Sequence, residues 1–280
     1  MVDAVDVVVY IALAITTIAL IVPLFLDYGD WMLIYGDITV LLTHLFAVPA
    51  VLVLFGYLGD DWYTTHWRGW WYIVVLSFSF VVSVCYHVAQ IIESNQVVVD
   101  GWDDADVSAQ NLLLTNTVIL LVYDTGRSPP WYMYPLTVVL AVLVAFYGNG
   151  SVVGSVKVFE IIAGIIFIIL GVYVLVAHAT NATCYTLTPE YRDKTRLNLA
   201  MVFSLVGLGT FITASLVPHR EYAIVHSIWH IYAYSLLYLI LRSIKQHEDS
   251  KSISPENRDE SDPFLDVDIS ELDEEHVLKL

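Results

Sequence analysis

Three histidines fall inside stretches of otherwise apolar sequence. His87 lies near the end of the run 70–92, and His226 and His230 open the run 222–244. An ionisable ring in hydrocarbon is costly, so such a residue reads as functional by default. His226 and His230 stand four residues apart, which a helix places on one face, one turn apart. With His87 they supply three nitrogens to a single cation. Three protein ligands plus a water is the usual arrangement of catalytic zinc. The expected cofactor is therefore zinc, and the expected metal ligands are His87, His226 and His230.

Two further residue types belong to this chemistry. Ser83 lies one helical turn before His87, on the same face. Its hydroxyl can bond a metal-held water, a substrate carbonyl or an aspartate; the competing role is a bond back to its own helix, common for serine in membrane helices. Asp103, Asp104 and Asp106 follow in a short acidic run. Asp106 is the first choice for a carboxylate that orients or accepts a proton, because zinc can bring the pKa of a water it holds to about 7. Asp103 and Asp104 are rivals for that role. The competing reading is a solvated helix N-terminus, where carboxylates suit the helix dipole. His44 and His178 have no partner in this pattern and read as structural. Asp37 marks the start of an apolar run. Glu160 stands near Lys157 at the entrance of another, where pairing or snorkelling accounts for both.

These side chains need elements to position them. The chain of 280 residues is 58% hydrophobic with a mean hydropathy of +0.68. Soluble domains average roughly 45–50% apolar residues, so the fold class is all-α and polytopic in the membrane. A span needs about 20 mostly apolar residues. Eight runs qualify, near 4–26, 36–57, 70–92, 106–124, 131–148, 157–178, 196–217 and 222–244. The run 106–124 carries Gln110, Asn111 and Asn116, whose amides must turn toward other helices. The first run lacks a basic leader and a cleavage site, so it reads as a retained helix. The domains expected are an N-terminal helix and loop (1–35), a seven-helix membrane core (36–245) and a disordered acidic cytoplasmic tail (246–280).

Loop charges orient the spans. Arg68, Arg127, Arg192, Lys194, Arg196, Arg242 and Lys245 fall on the side shared by the two termini, against Lys157 and Arg220 on the other. Both termini are therefore expected in the cytoplasm of a plasma-membrane or endomembrane protein. On that topology His87, His226, His230 and Asp106 all reach the exoplasmic half of the bilayer, although none of them was used to derive it. Aromatic clusters at Trp62–Tyr72 and Trp131–Tyr132 resemble interfacial belts. The sequon at Asn149 falls on the exoplasmic side, and the one at Asn181 on the cytoplasmic side.

The formal charge of −17 is concentrated at one end, since about a dozen of the 29 acidic residues follow Lys245. Such a composition suits a solvated tail. Nucleic acid is not an expected partner, because there is no basic patch, and neither a nucleotide-binding loop nor a nucleophile elbow is present. Within the tail, Ser261-Asp262-Pro263-Phe264 looks like the short peptides bound by endocytic adaptors, which makes such an adaptor an expected partner. Cys85 and Cys184 are too few for a disulfide framework.

The pattern Ser83-Val84-Cys85-Tyr86-His87, the pair Asp106-Val107 and His226-Ser227-Ile228-Trp229-His230 resembles the superfamily of alkaline ceramidases and adiponectin-type receptors. It is most similar to the branch holding the transmembrane protein eight family and myomaker, as is Thr43-His44-Leu45-Phe46-Ala47-Val48-Pro49-Ala50. The resemblance covers roughly 40–244. It implies a seven-helix core, zinc on His87, His226 and His230, supporting roles for Ser83 and Asp106, and a membrane lipid as substrate. Departures are a longer spacing from His87 to Asp106 and the lack of a cysteine-rich tail like that of myomaker. The expected function is zinc-dependent hydrolysis of a lipid amide or ester, with Asp106 and Ser83 as catalytic residues. The alternative is a receptor or fusion-type protein with structural zinc. A transporter with a histidine proton relay is the third reading, and the paired broken helices it calls for are not seen.

Overall fold

The computed structural model describes residues 4–25, 29–58, 62–93, 95–123, 129–147, 152–153, 156–157, 194–214, 216–217 and 219–243. Among these, α1 spans Ala4–Phe25, α2 Gly29–Thr43, α3 Val48–Leu54, α4 Trp62–Thr65, α5 Trp67–Ile92, α6 Gln96–Tyr123 and α7 Met133–Tyr147. A small antiparallel hairpin pairs β1 (Val152–Val153) with β2 (Val156–Lys157). α8 is Lys194–Ala214 and α9 is His219–Ser243. The expected span 157–178 beyond Lys157, His178, Cys184, both sequons and the tail 246–280 lie outside the described residues.

Among the described residues, four stretches are long and apolar enough to cross a membrane: Ala4–Val22, Gly36–Leu54, Trp67–Ile92 and Glu221–Ser243. They differ in how much the protein itself encloses. Only 22% of the first is buried, against 72% of the last, so α9 is the central helix and α1 a peripheral one. On α1 the exposed residues Val7, Ile11, Ile15, Ile18 and Val22 recur at helical spacing, which is the apolar stripe a lipid-facing helix presents. On α9, Ile224, Ile231 and Tyr238 are at most 2% exposed and seven residues apart. That period is the seam of a helix packed against neighbours.

Small residues let two helices approach. A Cβ added at Gly36 of α2 would stand 2.7 Å from the Cβ of Ala223 on α9, so this contact depends on the missing side chain. α2 and α9 run alongside each other from there. At the far end, the Arg242 guanidinium donates to the carbonyl of Leu58, and the Tyr63 hydroxyl donates to that of Leu241 at 3.1 Å.

The span Gly36–Leu54 is interrupted. Pro49 stands in the first turn of α3, and a 3₁₀ turn, His44–Ala47, precedes it. Proline has no N–H to give to Leu45 O, and the Val48 N–H bonds that carbonyl instead, while Ala47 and Val48 keep right-handed helical dihedrals. The turn leaves carbonyls needing donors, and in a membrane each must be satisfied within the protein. Side chains supply them: Thr43 Oγ1 donates to Val40 O at 2.5 Å, and the His44 ring turns back on the same segment. α3 ends in a Schellman motif, with Tyr57 N bonded to Leu52 O at 2.9 Å, Gly56 N to Val53 O at 3.0 Å and Gly56 at φ 78°. Glycine adopts that φ at no steric cost.

α5 and α6 pack antiparallel. Trp71 Nε1 donates to Asn116 Oδ1 at 2.7 Å, and the Tyr72 and Thr117 hydroxyls stand 2.7 Å apart. Of the three amides expected to turn toward other helices, Asn116 does so, its Nδ2 donating to Thr137 Oγ1 of α7 as well as to Leu112 O; Asn111 Nδ2 and Gln110 Nε2 donate within α6, to Val107 O and Asp106 Oδ1. α6 begins at Gln96, ten residues before the apolar run. Asn95 accounts for the difference, because its Oδ1 accepts the Val97 N–H at 3.1 Å, an N-cap bond. α2 likewise begins at Gly29 rather than at Asp37.

Candidate metal centre

Three helices converge on the histidines. His44 stands at the break between α2 and α3, His87 lies one turn from the end of α5, and His226 and His230 lie in the first half of α9. His44, His87 and His230 are 2%, 0% and 5% exposed, and each offers a ring nitrogen within 4.8 Å of the others'. The His87 ring centroid is 5.0 Å from His230 and 5.3 Å from His226. His226 Nε2 and His230 Nε2 face each other at 3.0 Å. Two expected ligands, His87 and His230, are thus brought together, and the third ring whose nitrogen lies within 4.8 Å of theirs is His44; His226, the other expected ligand, is not one of that set and joins it through His230. The His44 centroid is 4.4 Å from His230 and 5.3 Å from His87. His44, which the sequence leaves without a partner, belongs to the cluster. The signal that marks it is Pro49, which breaks the helix beside it.

The surroundings prepare these rings for a cation. His87 Nδ1 lies 2.7 Å from Gln90 Oε1. An amide oxygen only accepts, so in the neutral ring Nδ1 carries the hydrogen and Nε2 the lone pair. That Nε2 is buried without a hydrogen-bond partner. Gln90 is itself held, its Nε2 donating to the Tyr86 hydroxyl at 2.8 Å. A metal-ligating histidine almost always donates its other ring N–H to such a partner, and the spacing of His87 and Gln90 by three residues carries that signal. His230 Nδ1 is a second buried ring nitrogen with no partner. Imidazole donors suit zinc, copper, iron and nickel. The cluster can hold a metal ion.

Asp106 is 8% exposed. Gln110 Nε2 donates to its Oδ1 at 3.1 Å, and its carboxyl lies within hydrogen-bonding range of Ser83. Ser83 Oγ lies 3.0 Å from His44 Nε2 and within range of Tyr234. The two expected catalytic residues therefore meet beside the histidines. Asp103 lies one turn before Asp106, close to Tyr86, on the same inward face. Asp104 is off that face; its carbonyl accepts the Ser108 hydroxyl at 2.7 Å.

A cavity of about 190 Å³ opens next to the cluster. One end is polar, formed by Asp103, Asp106, Tyr222, His226 and His230. The rest is mostly apolar, with Leu113, Leu114, Leu236, Leu237 and Ile240 in its wall beside Asn111 and Thr117. From His226 to Ile240 the helix rises about 21 Å at 1.5 Å per residue. The space is thus long, mostly apolar and richest in polar groups at one end.

Comparisons with family models, with curated proteins and with solved structures give no match to this chain.

Proposed function

We propose that the protein is an intramembrane, zinc-dependent hydrolase of a lipid amide or ester. The observation that carries this reading is the cavity, mostly apolar along α6 and α9 and ending on His226, His230 and Asp106. It matches a ligand with one long hydrocarbon chain and a polar group at its head. His87, His226 and His230 would hold the cation, which would supply a Lewis acid for a carbonyl and lower the pKa of a water toward neutral. Asp106 orients water and accepts its proton. Ser83 holds the reacting group beside His87. Gln90 keeps the His87 lone pair aimed at the cation. The apolar wall keeps bulk water from the head group, which strengthens each of these electrostatic contacts.

In this reading the core has seven helices with one more in front, both termini are cytoplasmic, and the site lies beneath the outer leaflet. The resemblance to alkaline ceramidases and adiponectin-type receptors supports it, through Ser83, His87, Asp106, His226 and His230. A second reading, a receptor or fusion-type protein with a structural metal, is favoured by one observation: His44 stands with His87 and His230 in the set whose nitrogens lie within 4.8 Å of one another, and His226 Nε2 is 3.0 Å from His230 Nε2, so four imidazoles stand together. Four protein ligands make a closed site.

The test is metal analysis of the full chain in lipid nanodiscs, with photolabelling by a diazirine-bearing palmitate. One zinc per chain is expected, lost in His87→Ala combined with His230→Ala. Labelling is expected in α6 and α9, and Leu237→Trp is expected to reduce it without changing metal content. Stoichiometric zinc that survives loss of both histidines overturns the reading.

A further inference from the structure

His44 sits between two kinds of partner, and only one assignment of its hydrogen satisfies both. Its Nδ1 lies 3.1 Å from Leu41 O and 3.3 Å from Val40 O. Carbonyl oxygens accept and do not donate, so in the neutral ring Nδ1 carries the hydrogen and Nε2 the lone pair. Nε2 lies 3.0 Å from Ser83 Oγ. The serine hydroxyl is therefore placed to donate to His44. A hydroxyl has one hydrogen, so in this arrangement Ser83 has none left for the Asp106 carboxyl, which lies in range of it and meets the serine oxygen only through a hydrogen of its own or of a water.

We propose, on the metal reading above, that His44 is a positioning residue, which binds the Ser83 hydrogen so that Ser83 faces the metal centre as a hydrogen-bond acceptor. His44 is then not a ligand of the cation, and the site keeps an open position. This changes the part that Ser83 plays. Stabilising an oxyanion requires a donor, and the donor is taken up. Ser83 instead recognises an N–H or O–H next to the reacting carbonyl, or a hydrogen of the attacking water. The change of helix type is what makes this arrangement: the carbonyls that fix the His44 ring, Val40 O and Leu41 O, belong to the last turn of α2, where the chain passes into the 3₁₀ turn before Pro49.

The probe is a pair of hydroxamates bound to the cobalt-substituted full chain in nanodiscs, read by the visible spectrum. Acetohydroxamic acid keeps an N–H, and its N-methyl form does not. The wild type is expected to favour the N–H form about five- to tenfold, the ratio of one ordinary hydrogen bond. Ser83→Ala and His44→Leu are each expected to abolish that preference with cobalt affinity unchanged, and the double variant to add nothing. His44→Gln, which offers an acceptor at the place of Nε2, is expected to restore part of it. Cobalt binding with no preference in the wild type overturns the inference alone and needs no variant. A more than tenfold loss of cobalt affinity in His44→Leu also overturns it, because His44 is then a ligand (~1.4 kcal/mol per tenfold). A wild-type chain that binds no cobalt overturns the metal reading and this inference with it.

Discussion

Arg196 and Asp6 stand 190 residues apart in sequence and form a buried ion pair, with Arg196 Nη2 2.6 Å from Asp6 Oδ2. Arg196 Nε reaches Oδ1 at 3.4 Å, and the Tyr238 hydroxyl donates to Oδ1 at 2.7 Å. Three helices thus meet at one carboxylate: α1 supplies it, α8 the guanidinium and α9 the phenol. Asp6 is fully buried and Arg196 8% exposed. Tyr238 lies eight residues past His230, about 12 Å along α9, so this knot is well separated from the metal centre. It fastens the peripheral helix α1 to the central one.

Asp6→Ala should therefore destabilise the bundle without emptying the site. Removing one partner of a buried pair leaves an uncompensated charge and costs about 3–5 kcal/mol. In a bundle of this size that lowers the Tm by on the order of 10 °C. Thermal unfolding in detergent should show the shift, and zinc content below the transition should be unchanged. An unshifted Tm would show that α1 is held by apolar packing alone.

Gln90→Leu tests how the His87 ring is oriented. Partners of this kind typically contribute 10–100-fold to metal affinity. Loss of the amide oxygen frees the ring to turn and lets either nitrogen carry the hydrogen. Competition with a chromophoric chelator should report an affinity loss on the order of tenfold or more, with Gln90→Glu largely preserving binding because its carboxylate still accepts from Nδ1. Equal affinity in Gln90→Leu and the wild type would be inconsistent with Gln90 having this role.

Gly36 and Ala223 test the approach of α2 to α9. Overpacking a close contact costs about 1–3 kcal/mol. Gly36→Ala should lower stability by that order, and Ala223→Gly in the same chain should recover much of it, because the clash is between two Cβ atoms. Failure of the second substitution to rescue the first in a thermal-unfolding measurement would mean that something other than this contact limits the site.

Some of this architecture is legible from residue order. Apolar runs of about 20 residues locate the helices, because a buried backbone in lipid must satisfy its own hydrogen bonds. The amides of the run 106–124 indicate that α6 faces other helices, and Asn116 meets Trp71 and Thr137 accordingly. The spacing of His226 and His230 puts them on one face, since a helical turn is a local property. Arg196 shows the limit. As a charge beside an apolar run it counts toward loop bias, yet it is buried on Asp6. Arg68 is also buried, with its Nε donating to the Tyr134 hydroxyl at 3.2 Å.

The sequence alone determined the apolar middles of the described helices, though not where α2 and α6 begin, which rings share a turn, and that histidines in hydrocarbon need partners; each follows from the geometry of one helix or the cost of burying a polar group. Only the tertiary structure decided who those partners are. His44 meets Ser83 39 residues away and packs against His230 on another helix, and no local periodicity encodes a contact between helices. That meeting depends on the break before Pro49, on the close approach at Gly36, and on α9 lying at the centre of the bundle. Packing sets those distances, and a hydrogen bond or a metal–ligand bond tolerates errors of only tenths of an ångström.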